Sequence, residues 1–397
     1  MEALFIKSAR KINTVPLAFK RYLFDRFSTQ SRMLIIKGAR GAGKTTLLLQ
    51  YAHERLPLGR KTLYVALDDL YFLENRLYDL ADMFRKQGGQ YLLLDEVHKY
   101  PGWSRELKLI YDDFPGLHIM ATSSSLLELH KTESDLSRRA VWRLLKEMSL
   151  REFVYFRTGK LLPAYDLDDL IHRHEEIALE LMNAFKPLEI YHDFIRLGAY
   201  PFFMEDRENY HDKLLQIVNL VLETDLPAVE RVDFAFIVKL KKLLGMVAES
   251  VPFTPNITKL SERIGISRNA LVRALYLLEK ARLLLLLNKE GKGLSKLSKP
   301  DKIYLNNPNL SFALKARTPD TGTLRETFLA NQVESLYPLH LHEKADFLVD
   351  GRYVLEVGGK NKGFEQIKNY PNAYIVRDDL ENGTGKVIPL WLFGFLY

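Results

Sequence analysis

The first 150 residues alternate between short apolar runs and stretches of helical periodicity. Met33-Leu34-Ile35-Ile36, residues 62–67, Tyr91-Leu92-Leu93-Leu94, residues 117–122 and residues 141–147 all have strand length. Their apolar positions are continuous rather than alternating. That predicts parallel strands covered on both faces. Residues 44–54, 74–87, 103–114 and 124–130 between them predict helices. A basic and aromatic stretch, 1–30, places Arg21, Tyr22, Phe24 and Phe27 at near-helical spacing and predicts a helix leading into the core. The alternation defines an α/β domain, a parallel sheet with helices on both faces.

Past residue 150 the strand signal fades. Helices are predicted over 150–157, 168–186, 188–196 and 207–224, punctuated by Pro187, Gly198, Pro201 and Pro227. A further helix over 233–248 runs to Pro252 and Pro255, which mark a boundary. Residues 257–280 predict two helices around a Gly265-Ile266 turn. Ile257, Leu260 and Ile264 line one apolar face, Leu271, Leu275 and Leu278 the other, and Ser267 caps the second helix. An apolar strand at 283–287, a Lys289-Glu290-Gly291-Lys292-Gly293 turn and a strand at 302–305 complete the pattern of a winged helix-turn-helix. Residues 323–397 predict a helix at 323–335 and strands near 339–349, 352–357, 373–377 and 387–394. The domain reading is a nucleotide domain at 1–150, a helical lid at 151–250, the winged helix at 251–310 and a small α/β domain at 311–397.

Chemistry enters at the end of the first strand. Gly38-Ala39-Arg40-Gly41-Ala42-Gly43-Lys44-Thr45 fits the phosphate-binding P-loop pattern. Glycines let the backbone wrap a polyphosphate, and the N-terminus of the following helix, with Thr46 in its first turn, adds partial positive charge. Lys44 is expected to reach the β- and γ-phosphates of ATP, and Thr45 to hold Mg²⁺. The run Tyr91 to Leu94 ends in Asp95-Glu96, the Walker B arrangement. Asp95 is then a metal residue and Glu96 the residue that polarises the attacking water. The next strand ends in Thr122-Ser123-Ser124-Ser125. Ser124 either senses the γ-phosphate or caps a helix. Arg138 and Arg139 are either arginine fingers, in cis or from a neighbouring subunit, or solvated surface. His98 reads as structural.

These motifs together resemble the AAA-type P-loop ATPases of bacteria and archaea. The likeness is carried by residues 38–45, by Leu92-Leu93-Leu94-Asp95-Glu96-Val97-His98-Lys99-Tyr100-Pro101-Gly102-Trp103, by the hydroxyl run 122–125, and by Leu136-Ser137-Arg138-Arg139-Ala140 followed by Leu150-Arg151-Glu152-Phe153. It covers roughly residues 20–160. The resemblance implies a five-stranded core with the P-loop strand central, a helical lid, ATP with Mg²⁺, and scope for homo-oligomerisation. It supplies no client.

Composition narrows the picture in two ways. The chain has no cysteine, which removes disulfides and thiolate sites and suits a reducing interior. It carries no secretory leader pattern and no apolar run near membrane-spanning length, so the expectation is a cytoplasmic protein without a membrane partner. Charge is regional. Residues 251–300 hold ten Lys and Arg against three Asp and Glu, an excess equal to the net charge of the whole chain, +7. An anionic partner for that segment follows. In DNA contact, Arg268, Asn269 and Arg273 would face bases or phosphates, with Lys289, Lys292 and Lys296 on the backbone. The alternative is a winged helix that packs on its own ATPase and touches no DNA.

In the last region Glu326, Asp346, Glu356, Lys360, Gln366 and Tyr370 follow an order resembling the restriction-endonuclease-like fold. There the acids bind Mg²⁺ and a lysine supports the attacking water. The lysine belongs two positions after Glu356, where Gly358 stands instead. The reading is therefore a nuclease-like fold without cleavage. Three functions compete for the whole chain, one of them a DNA-binding regulator in which the ATPase only sets oligomeric state. Another is an ATP-hydrolysing enzyme whose nucleotide state, ATP or ADP, moves the attached domains on or near nucleic acid. The third is a slow nucleotide-dependent switch that binds a protein partner.

Overall fold

The structure, a computed structural model, describes residues 1–27, 31–123, 136–249, 255–291, 299–314, 319–334 and 336–397. They divide into two compact units, Met1–Glu147 and Met148–Tyr397.

The first unit runs α1 (Glu2–Asn13), β1 (Met33–Gly38), α2 (Lys44–Arg55), β2 (Thr62–Ala66), α3 (Leu77–Lys86), β3 (Tyr91–Asp95), α4 (Trp103–Asp113), β4 (His118–Ser123) and β5 (Val141–Leu145). The strands form one parallel sheet in the order β2-β3-β4-β1-β5. β1 is thus interior, between β4 and β5, and β4 rather than the P-loop strand is the middle one. Side chains alternate between faces along each strand. Met33, Ile35, Leu92, Leu94, Ile119 and Ala121 pack with α3 and α4 on one side. Leu34, Ile36, Leu93 and Met120 pack with α2 on the other. Two covered faces are what the continuous apolar strands require. The predicted helix over 1–30 is shorter, ending at Asn13, with a single 3₁₀ turn at Phe24–Arg26. The helix expected at 124–130 lies outside the described residues.

The second unit begins with helices α5 (Leu150–Thr158), α6 (Leu167–His172), α7 (His174–Met182), α8 (Pro187–Leu197), α9 (Tyr210–Leu220), α10 (Leu226–Val229) and α11 (Phe234–Glu249). Ser149 and Glu152 close a capping box on α5. The helix expected over 168–186 breaks at Arg173, whose backbone is non-helical. The one expected over 207–224 leaves α geometry at Leu220 and widens into a π turn, Val221–Asp225. Then come α12 (Ile257–Ile264) and α13 (Arg268–Lys280), joined through Gly265 in the left-handed region at φ 77°. Ser267 caps α13, accepting the Ala270 N–H. β6 (Leu284–Leu287) pairs antiparallel with β7 (Lys302–Leu305).

After α14 (Pro308–Leu314) and α15 (Thr321–Val333), a mixed sheet takes the order β12-β11-β10-β9-β8. Its strands are β8 (Leu339–His340), β9 (Phe347–Val349), β10 (Tyr353–Gly358), β11 (Ala373–Arg377) and β12 (Val387–Pro389). The single strand expected at 339–349 is split by the polar run His342 to Asp346. The one expected at 387–394 stops at Pro389, which has no N–H to continue a ladder, and turns into 3₁₀ helix. Gln366 lies in a turn, and neither it nor Tyr370 is on a helix.

The helical part of this unit is pinned by one buried carboxamide. Asn309 Nδ2 donates to the carbonyls of Phe194 (3.0 Å) and Ile195 (2.7 Å) at the end of α8, and its Oδ1 accepts the Ala199 N–H (2.8 Å) and the Tyr210 hydroxyl. Both carbonyls belong to the last turn of the helix, and that of Phe194 also accepts the Gly198 N–H at 2.8 Å. Asn309→Ala is expected to destabilise the protein by about 2–4 kcal/mol, because it strands several buried polar groups at once. Denaturant unfolding checks this, and a loss under about 0.5 kcal/mol would contradict it.

Candidate functional site

In a parallel sheet all strands end on one edge, and the chemistry gathers there. The register sets Gly38 beside Leu145 and Lys37 beside Ser123, with Leu94 opposite Ala121. Asp95, Thr122 and the P-loop therefore meet. Gly38 is required by space: a Cβ there would lie 2.2 Å from the Leu145 carbonyl oxygen. Gly41 and Gly43 take φ 82° and 91°, a left-handed backbone that turns the loop into the N-terminus of α2. Ala39, Arg40 and Ala42 complete the loop, and Thr46 lies exposed in the first turn of α2. The buried Lys44 ammonium donates to the carbonyls of Gly38 (3.0 Å) and Ala39 (2.8 Å).

Asp95 is buried and surrounded by hydroxyls. Thr45 Oγ1 donates to it at 2.9 and 3.1 Å, the Tyr64 hydroxyl at 2.8 Å, and Thr122 Oγ1 completes the set. Thr122 Oγ1 also accepts the Glu96 N–H at 3.1 Å. Burial, then the Asp95 charge, pushes the Tyr64 phenol far above its ordinary range and keeps it a donor. Glu96 has φ 54°, a left-handed backbone rare for this residue type. The bend lifts its carboxylate off the strand line, and a 3₁₀ turn, Val97–Lys99, follows. The side chain of His98 in that turn is buried. Its Nδ1 lies 3.2 Å from Ser123 Oγ and its Nε2 3.5 Å from Glu96 Oε2. Burial pulls the imidazole pKa down to about 4 against the opposing charge of Glu96, so the ring is neutral.

Other expected residues are placed less centrally. Arg139 makes a two-pronged ion pair with Asp112 of α4, at 2.8 Å on each side, so it is committed within its own chain. Arg138 is exposed. Ser124 lies outside the described residues. One residue unnoticed as functional belongs here: Arg21, buried, donates to the P-loop carbonyl of Ala42 and to Lys146 O (2.8 Å) just beyond β5. Its signal was an arginine in an aromatic stretch ahead of the P-loop. Tyr64 carried no signal, because one Tyr in an apolar strand reads as core.

On α13, Arg268 and Asn269 are exposed at the first turn. Arg273 is held by Glu230 at 2.7 Å. Lys289 is exposed, with its N–H donated to Asp301. Lys292 and Lys296 lie outside the described residues.

In the last region Glu326, Asp346 and Glu356 do come into one neighbourhood, but each is already partnered. Glu326 accepts from Lys302 Nζ (2.5 Å) and the Tyr304 hydroxyl (2.6 Å). Asp346 accepts the Val357 N–H (2.9 Å), with Lys302 3.8 Å away. Glu356 pairs with Lys362, not with Lys360, which points to solvent. The reason is steric. The Lys362 side chain lies over Gly358, where a Cβ would sit 2.5 Å from its own Cβ. Gln366 Oε1 accepts from Lys362 Nζ at 3.4 Å.

Among known proteins, the family model described as an AAA domain matches residues 30–154, and one described as a domain of unknown function (DUF8612) matches residues 188–321. Residues 30–154 are thus a P-loop domain of AAA type. An uncharacterized protein of Methanocaldococcus jannaschii is 27% identical over 288 residues, 69% of this chain and 60% of that protein. The match spans about three fifths of that relative's length. Two solved structures are similar at a distance. The Walker-type ATPase of Pyrococcus abyssi has 14% identity and a TM-score of 0.43, covering 77% of this chain and 99% of that one. The Aeropyrum pernix Orc1 protein, solved in complex with DNA, has 14% identity and a TM-score of 0.31, covering 79% and 91%. Likeness at that level carries no functional weight.

The carboxylate neighbourhood makes a prediction about pH. Burial, then Glu326 and Glu356, raises the Asp346 pKa from 3.8 to about 7. An acid raised in this way holds its proton more tightly in the folded state. Its stabilising contribution is full below 3.8 and is lost as pH rises toward 7. Asp346→Asn keeps an acceptor for the Val357 N–H and removes the charge. It is expected to melt above wild type at about pH 8, with the difference shrinking toward about pH 5. Parallel thermal melts check this, and a gain that grows on acidification would contradict it.

Proposed function

We propose that the first unit binds and hydrolyses ATP. One observation carries the reading: P-loop, Thr45, Asp95 and Glu96 converge on one sheet edge, joined by a hydrogen-bond network through Asp95 and Thr122. The P-loop amides and the α2 N-terminus suit a polyphosphate. Lys44, now on two loop carbonyls, is the cation that phosphate oxygens would draw away. Thr45 and Asp95 place a hydroxyl and a carboxylate in contact, an oxygen set that fits a hard cation such as Mg²⁺. When bound, that ion supplies charge neutralisation at the phosphate oxygens. Glu96, turned out of the strand and adjacent to the metal residue, is the base that orients water. Lys44→Ala and Glu96→Gln should each lower turnover by at least about 100-fold, and Lys44→Ala alone should weaken ATP binding. Phosphate release and nucleotide titration decide this. Full turnover in Glu96→Gln would remove the assigned base.

A second reading concerns the basic segment. The α12–Gly265–α13 corner followed by the β6–β7 pair supports a winged helix that grips DNA through Arg268 and Asn269. If so, affinity falls steeply with salt, and Arg268→Ala lowers the slope by about 0.9 log units per log unit of salt, one phosphate's share. Arg273, occupied by Glu230, should contribute less. Absence of binding at low salt would sink this reading. The last domain is proposed to keep its nuclease-like carboxylates as an internally neutralised cluster, with Lys302, Tyr304 and Lys362 as partners, and not to cut nucleic acid.

A further inference from the structure

The ATPase reading leaves one buried group at the site without a role. His98 has a side chain only 4% exposed, yet its Nε2 has no hydrogen-bond partner among the described residues. Buried polar atoms are rarely left so, because they lose water without replacing it. The nearest charge is Glu96 Oε2, at 3.5 Å. A shift of about half an ångström would bring the pair to ordinary hydrogen-bond length.

The chemistry of the ring fixes which way it is used. A neutral imidazole offers one N–H and one lone pair. The hydroxyl of Ser123, at the end of β4, can donate to Nδ1 across 3.2 Å. The proton then sits on Nε2 and faces the carboxylate. The opposite tautomer would set a lone pair against an anion. From the backbone side, Glu96 is fixed by its N–H to Thr122 and by the left-handed bend at φ 54°. Its side chain has a second possible anchor in His98. Ser123, His98 and Glu96 thus form a line from the end of β4 to the end of β3.

We propose that His98 is a positioning residue for Glu96. It holds the carboxylate in the orientation in which it can accept a proton from water. It also ties that orientation to Ser123, so that displacement of the β4 end is passed to the base. The inference rests on the ATP-hydrolysis reading. Its consequence is specific: loss of His98 should slow the chemical step without changing nucleotide affinity, because the ring touches the base and not the P-loop.

The test compares His98→Ala, His98→Gln and Ser123→Ala in the full chain, with Glu96→Gln as reference. We expect His98→Ala to lower kcat by about 10–100-fold, with Kd for a fluorescent ATP analogue within about twofold of wild type. His98→Gln, which keeps a donor of similar reach, should recover several-fold of that loss. In a Glu96→Gln background, His98→Ala should cost nothing further, since the residue acts only through Glu96. Should His98→Ala fail to fold, His98→Gln and Ser123→Ala decide. Intermediate kcat at unchanged Kd supports the role, and wild-type kcat in both overturns it. Wild-type kcat in His98→Ala, or an undiminished loss in the Glu96→Gln background, also overturns it. If Glu96→Gln itself turns over normally, the hydrolysis reading fails instead, and the two failures are told apart.

Discussion

A buried carboxylate organises this protein's nucleotide edge. Asp95 is removed from water, and an anion so placed is tolerated only when donors surround it. Three hydroxyls do so, and they come from different parts of the sheet layer: Thr45 from α2, Tyr64 from β2 and Thr122 from β4. Each must arrive at the right depth, so strand register and the first turn of α2 are constrained together. The same hydroxyl of Thr122 holds the Glu96 backbone. Asp95 and Glu96 are therefore set by one local network, and neither can shift alone.

The loop that faces this network is shaped by exclusion as much as by attraction. Gly38 has no room for a side chain against β5, so β1 and β5 approach closely just where the loop begins. Arg21 then ties the loop carbonyl of Ala42 to the backbone beyond β5. The glycines give the loop its freedom, and the arginine takes part of that freedom away. Charge near the site is balanced in the same way: Lys44 is satisfied by loop carbonyls that a phosphate would outcompete, since charge-assisted bonds to anionic oxygen are the stronger.

Much of this was legible in the residues. The apolar runs marked strands 33–38 and 91–95 to within two residues, because burial on both faces keeps each run continuous up to the one or two residues that close it. That Lys44, Thr45, Asp95 and Glu96 belong to one site could be read from their motifs. Tyr64, Arg21 and His98 could not be so read, because their meaning depends on which strands are neighbours, and the order β2-β3-β4-β1-β5 is written nowhere in local pattern. The C-terminal region shows the opposite failure. There Glu326, Asp346 and Glu356 do lie in one neighbourhood, but Lys360, next in the order, does not join them. The chain instead turns back over Gly358 and brings Lys362 to Glu356. Placement by order assumes a regular backbone, and a glycine pair is where that assumption is weakest.

On the proposed reading, Thr45 and Asp95 form the cation site of an ATP-binding edge. Measuring ATP affinity with Mg²⁺ and with a chelator, in wild type and in Asp95→Asn, tests this. Wild type should bind ATP more tightly with Mg²⁺, and the difference should collapse in the variant. An equal Mg²⁺ effect in both proteins would contradict it.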